Sequence, residues 1–265
     1  MVQYLAVTGG LHFNRKGELV PMKSEEKTRM PTEEEKARIV EREDSLIVPF
    51  HKVKLKHGTK SLQWHSLIRH KIDMMRAVDT NSSEFRRLVE EVTTLICCEA
   101  MQKLEMEEYV VETPICQTIG KRVSGKKLVA VPILRAGLGM ESAVKAVVPK
   151  SRTGFIGMYR DEETLEPVEY FCKLPKDIED REVFILDPML ATGGSADAAI
   201  RLVKEKGCKK ISFICIIAAP QGIERLQENH PDVELWIGCI DRGLNKNGYI
   251  VPGLGDAGDR IFGTK

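Results

Sequence analysis

No apolar run in the 265-residue chain approaches the ~20 residues that cross a bilayer. The longest, Ile211 to Pro220, has the length of a buried strand. Excess charge of one sign is missing too, since 40 Lys+Arg stand against 39 Asp+Glu. That excludes a chain-wide basic field for a nucleic-acid backbone and leaves only a local patch for such a role. Met1 to Gly10 carries no Lys or Arg ahead of its apolar stretch, so no signal peptide is expected. Cysteine is sparse and odd in number: Cys97 and Cys98 are adjacent, and Cys116, Cys172, Cys208, Cys215 and Cys239 are scattered. Without a Cys-x-x-Cys pair, a disulfide framework is excluded and free thiols in a reducing compartment are expected. His51, His57, His65 and His70 lie close together but match no zinc spacing. There is no internal repeat.

What remains is an ordinary globular balance, 42% hydrophobic and 30% charged. The length suits one large domain with an appendage or two small ones. Residues 1–60 read as an N-terminal extension, partly a helical arm, and residues 61–265 as the main domain. In the extension, Thr32 as N-cap and Glu35 three residues on form a capping box ahead of a doubly charged stretch, which is a solvated face. Asn81 and Glu84 form a similar start. The apolar series Phe85, Leu88, Val89, Val92, Leu95, Ile96 then marks one helix face.

Beyond residue 127 the texture changes. Leu128 to Leu134, Gly154 to Tyr159, Val183 to Leu186, Ile211 to Ala218 and Val233 to Ile240 are short runs rich in Val, Ile and Phe. Helical stretches (Leu138 to Val148, Ser195 to Lys206, Gln221 to Asn229) alternate with most of them. Strands apolar on both faces and separated by helices make a parallel sheet flanked by helices, an α/β fold. Arg160 to Pro175 is charged and interrupted by Pro167, so it reads as a hairpin arm protruding outside the sheet.

Ligands of an open parallel sheet sit beyond the carboxyl ends of its strands. The run Asp187-Pro188-Met189-Leu190-Ala191-Thr192-Gly193-Gly194-Ser195 follows such a strand. It brings a carboxylate to the sheet lip and leads through glycines into a helix start, whose N–H groups and dipole suit a phosphate monoester. Arg135 and Arg160 each follow another strand, placed for bidentate contact with phosphate or pyrophosphate. Two glycine-rich stretches are weaker signals. Gly120 to Lys127 resembles a P-loop but precedes its strand and lacks the Ser/Thr, so it reads as a turn between strands. Gly137-Leu138-Gly139 is a partial dinucleotide fingerprint with Ser142 in the third glycine position. Tyr249 to Arg260 has no helical or strand period, and is either a frayed tail or a folded binding loop.

Four ordered segments then carry a family resemblance: Val131 to Met140, Gly157 to Pro167, Asp187 to Ser195 and Gly248 to Lys265. From about Trp64 onward the chain resembles the uracil phosphoribosyltransferases, a branch of the type I phosphoribosyltransferases; the stretch before residue 56 has no counterpart. The resemblance implies that 5-phospho-α-D-ribose 1-diphosphate (PRPP) and uracil give UMP and pyrophosphate, with Mg2+ held mainly through PRPP. It implies that Arg135, Arg160 and Asp187 are catalytic. It also implies that Arg135, Arg160, Asp187, Pro188, Met189, Leu190, Ala191, Thr192, Gly193, Gly194, Ser195 and Asp256 bind PRPP, with Asp256 a metal candidate. Uracil would meet Tyr249, Ile250, Gly255, Asp256 and Ala257, largely through the backbone. A cytoplasmic homo-oligomer, dimer or tetramer, is expected, with GTP as an effector whose site is unplaced and with no nucleic-acid or membrane partner. The alternative is a related RNA-binding regulator of pyrimidine genes.

Overall fold

The computed structural model describes residues 11–13, 19–21, 30–48, 54–125, 128–160 and 167–264. In chain order these form β1 (Leu11–Phe13), β2 (Leu19–Pro21), α1 (Glu33–Leu46), β3 (Thr59–Ser61), α2 (Ser66–Arg76) and α3 (Ser82–Ala100). A ribbon of β4 (Met106–Glu112) and β5 (Gln117–Val123) follows, then β6 (Val129–Leu134), α4 (Leu138–Val147), β7 (Arg152–Thr153), β8 (Phe155–Arg160) and β9 (Pro167–Lys173). The remainder is β10 (Glu182–Leu186), β11 (Met189–Leu190), α5 (Gly194–Glu205), β12 (Lys210–Ala218), α6 (Pro220–Asn229), β13 (Glu234–Ile240), β14 (Gly243–Leu244), β15 (Ile250–Val251) and α7 (Ala257–Phe262).

The main sheet has the order β3-β13-β12-β10-β6-β8-β9. Its neighbours are parallel except β8 and β9. Period-two alternation splits each central strand between two cores. Phe184 and Leu186 of β10, with Ile214 and Ile216 of β12, face the layer built by α2, α3 and α4. Val183 and Ile185, with Phe213 and Cys215, face the α5 and α6 layer. Each fully buried side chain of this size contributes ~1.5–3 kcal/mol, which is why these strands read as unbroken apolar runs.

The helix starts follow their sequences. Thr32 and Glu35 close their capping box, and α1 has no buried residue, as a solvated arm requires. Asn81 accepts the Glu84 N–H at 3.0 Å, and α3 buries Phe85, Leu88, Val89, Val92 and Ile96.

Three expectations are corrected. Pro167 to Lys173 does not stand outside the sheet; it is β9, the antiparallel edge strand beside β8, with residues 161–166 outside the described set. Proline is tolerated there because it opens an edge strand, where no ladder N–H is needed. Ala257 to Phe262 is helical, begun by Asp256 as N-cap with Oδ1 accepting the Asp259 N–H at 2.9 Å. Six residues are too few to show a period in sequence. Gly120 to Val123 belongs to β5, so only Ser124 and Gly125 of the P-loop-like run form a described turn.

Candidate active site

The strand ends β6 and β10 adjoin in the middle of the sheet, so the turns after them are neighbours. Gly137 is where they meet: a Cβ on it would lie 2.2 Å from the Leu186 carbonyl oxygen and 2.7 Å from the Ile133 nitrogen. Only glycine lets the Arg135 turn run this close to the strand that delivers Asp187.

Asp187 is half-buried, and its Oδ1 accepts the Met189 N–H at 3.2 Å. Burial pushes its carboxyl up to about 7, with that single hydrogen bond pulling the other way. Desolvation also raises the thiol of Cys215, fully buried on the next strand, and the nearby Asp187 charge adds to it. The loop that follows is held by its backbone. The Pro188 carbonyl accepts from Ile216 and Ile217, both at 3.1 Å, and that of Leu190 accepts from Ala219 at 2.9 Å. Gly193 takes φ +80° as N-cap of α5, and no side chain caps that helix. Gly222 of α6 packs under the loop, with no room for a Cβ beside the Ala191 carbonyl oxygen at 2.5 Å.

The carboxyl-terminal segment is the opposite wall. A cavity of about 220 Å³ is lined by Asp187, Met189 and Ala191 on one side and by Gly248 to Ile250 and Gly255 to Gly258 on the other, with Ala136 between. A Cβ on Gly258 would lie 3.9 Å from that of Ala136, and one on Gly139 would lie 3.0 Å from the Ile261 Cδ1, so α7 seats against the start of α4. Arg135, largely exposed, reaches to 3.7 Å from Asp259 on α7. Ile250 and Ala257 are buried and Tyr249 and Asp256 exposed, while Thr192, Gly193, Gly194 and Ser195 carry the loop after Asp187 into α5. Arg160 ends β8, but its side chain lies outside the described residues.

Three residues that sequence reasoning passed over hold this wall in place. Asp241, immediately after β13, pairs bidentately with Arg76 of α2, through Nη2 to Oδ1 at 2.6 Å and Nη1 to Oδ2 at 2.8 Å. Burial works against the Arg76 charge, but the hydrogen bonds and charge of Asp241 outweigh it and leave its pKa above the ordinary value. Arg260 stacks 4.3 Å over Phe85 and donates to the carbonyls of Leu254, Ala77 and Thr80 at 2.9, 2.7 and 3.3 Å and to that of Met75. A carboxylate at a strand end was the available signal for Asp241; nothing in the sequence pairs it with Arg76.

The oxygen donors suit a hard cation only in part. Asp187 and Asp256 face one cavity, yet among the described residues no group of three or more His, Cys, Asp or Glu is placed to hold a metal ion. That pattern fits a cation bound through one or two carboxylates plus substrate oxygens.

Comparison with known proteins identifies the family. Residues 62–264 match the family model described as "Uracil phosphoribosyltransferase". Proteins of that name from Agathobacter rectalis and Clostridium botulinum (strain Eklund 17B / Type B) are 59% and 56% identical over 201 residues, 76% of this chain and 96% of theirs. Among solved structures, that of the AQ2163 protein from Aquifex aeolicus superposes with a TM-score of 0.74 at 39% identity, covering 77% of this chain and 97% of the other.

Proposed function

Because the chain belongs to the uracil phosphoribosyltransferase family, we propose that it transfers the 5-phosphoribosyl group of PRPP to uracil, giving UMP and pyrophosphate. It is a pentosyltransferase of pyrimidine salvage. The observation that carries the reading is the cavity in which the Asp187 loop and the Gly248–Gly258 segment face each other. One wall offers a carboxylate beside a glycine-opened helix start; the other offers a nearly bare backbone.

In the proposed pose, the N–H groups at the start of α5, around Gly193 to Ser195, take the 5′-phosphate, where an anion is stabilised by the helix dipole. Asp187 accepts from the ribose hydroxyls. Arg135, exposed at the mouth and close to Asp259, takes the pyrophosphate with Arg160. Uracil lies against the backbone of Ile250, Gly255 and Ala257, with its N1 behind C1′. The N1–C1′ bond forms as the C1′–O bond to pyrophosphate breaks, and the N1 proton is lost. Charge grows on the leaving group, so guanidiniums that meet it there favour the transition state over the ground state. Asp187 or Asp256 would hold Mg2+ together with oxygens of PRPP, and the ion would supply charge neutralisation at the pyrophosphate. The backbone pocket separates uracil from cytosine because position 4 is an acceptor in one and a donor in the other. A mismatch leaves a buried group unpaired, at a cost of ~1–3 kcal/mol.

Further features support the wider reading. All seven cysteines are free thiols, in keeping with a reducing, cytoplasmic setting. No described helix is long and apolar enough to cross a membrane. The β4–β5 ribbon exposes Val110, Ile115 and Ile119, apolar surface of the kind a homo-oligomer covers. The test of the activity is pyrophosphate release with uracil, cytosine, hypoxanthine and orotate supplied in parallel. Turnover with uracil alone is expected. Retention of RNA at physiological salt without turnover would instead favour the regulator.

A further inference from the structure

A pocket that reads its ligand with backbone atoms is only as selective as that backbone is fixed. The turn between β15 and Gly255 is tight. Gly253 takes φ +67°, and a Cβ there would lie 2.2 Å from the Ile250 carbonyl oxygen. Both polar groups of Gly253 are engaged by one ion pair. Its N–H donates to Asp241 Oδ2 at 2.9 Å, and its carbonyl accepts from Arg76 Nη1 at 2.7 Å. The Asp241 side chain is only 2% exposed and that of Arg76 18%. Three segments distant in sequence, the end of α2, the end of β13 and the carboxyl-terminal loop, therefore meet at one residue, whose two flanking peptide groups are both held.

Stability alone does not account for such a pair. Desolvating two charges costs about as much as their attraction returns, and apolar replacements of similar volume are often neutral. Fixed direction is what a bidentate guanidinium–carboxylate fork adds over apolar packing.

We infer that Arg76 and Asp241 are positioning residues for nucleobase recognition. By holding the peptide groups on both sides of Gly253, they keep the donors and acceptors of Ile250 and Gly255 in the register that a planar base edge requires. They touch no reacting atom, and they act on the nucleobase half of the site while leaving the Asp187 to Ser195 half alone. The inference rests on the proposed activity.

Steady-state kinetics of the full-length protein with Arg76→Gln, Asp241→Asn and the milder Arg76→Lys tests it, each variant first matched to wild type in circular dichroism and hydrodynamic size. The KM for uracil is expected to rise about tenfold or more, while the KM for PRPP and kcat at saturating uracil stay within about threefold. Arg76→Lys, which keeps the charge but not the fork, should recover part of the loss. A folded variant whose uracil KM stays within about twofold of wild type overturns the inference, as does one in which both KM values rise together. Should the Gln and Asn variants fail to fold, Arg76→Lys is judged by the same two criteria. A wild-type protein that makes no UMP defeats the proposed activity itself, whereas an active wild type with unaffected variants defeats only the clamp.

Discussion

Burial raises the Asp187 carboxyl to about 7, far above its ordinary 3.8, because the Met189 N–H is the one hydrogen bond that opposes desolvation. A carboxyl whose pKa is raised on folding is protonated in the folded chain while still ionised in the unfolded one. Between the ordinary value and about 7, stability therefore falls as pH rises, and it levels off above that window. Asp187→Asn removes this cost, so its melting temperature should exceed that of wild type at pH 8 and converge with it below pH ~4. Function should move the opposite way. The variant should lose affinity for PRPP and lack the rise of kcat/KM through neutral pH expected of wild type; near-normal PRPP affinity would remove Asp187 from the site. Arg135, next to the cavity-lining Ala136, is largely exposed instead, with Asp259 as a neighbour at 3.7 Å. In the proposed pose its value lies in charge that develops during the reaction. Arg135→Ala should cost kcat/KM about two orders of magnitude with little change in melting temperature, and undiminished turnover would refute the role.

The turn between β6 and α4 shows how an element constrains its neighbour. Adding a methyl at Gly137 would drive it into the Leu186 carbonyl oxygen, a backbone atom that cannot rotate away. Gly137→Ala should lose more than about 2 kcal/mol of stability, read from the urea midpoint, and should weaken PRPP binding because Leu186 carries Asp187. Elements that bury both faces were legible in sequence, since β6, β10, β12 and β13 are the uninterrupted apolar runs and their ends located Asp187 and Arg135. The β4–β5 ribbon was not, because exposed residues such as Val110 and Ile119 make no in-and-out burial pattern. Pro167 made β9 read as a break, and α7 was too short for a period. The clamp on Gly253 was illegible for a different reason. Arg76 and Asp241 are 165 residues apart, and nothing in either local sequence names the other.

At the scale of the whole molecule, the family match begins at residue 62, yet α1, which precedes it, leans on the wall proposed to hold the nucleobase. Arg242 Nε is 2.8 Å from Glu43, and its Nη1 is 2.5 Å from Asp44. The Val48 N–H donates to the Leu244 carbonyl at 2.7 Å. A cavity of about 760 Å³ separates α1, at Arg38, Ile39 and Leu46, from Tyr249, Ile250 and Pro252. The attachment is shallow: α1 buries no residue, and both carboxylates that meet Arg242 retain solvent exposure. Partly exposed pairs of this kind contribute ~0–1 kcal/mol each. Deleting residues 1–48 should therefore leave residues 54–264 folded, with a melting temperature lowered by no more than about 4 °C. Turnover should persist, and any change should fall on the KM for uracil, since the described contacts of α1 and Val48 are with Arg242 and Leu244, beside β15. Thermal unfolding and the two KM values measured on the truncated chain decide this. A drop beyond about 10 °C, or a selective loss of PRPP affinity, would make the arm part of the folding unit instead of an accessory laid against the base pocket.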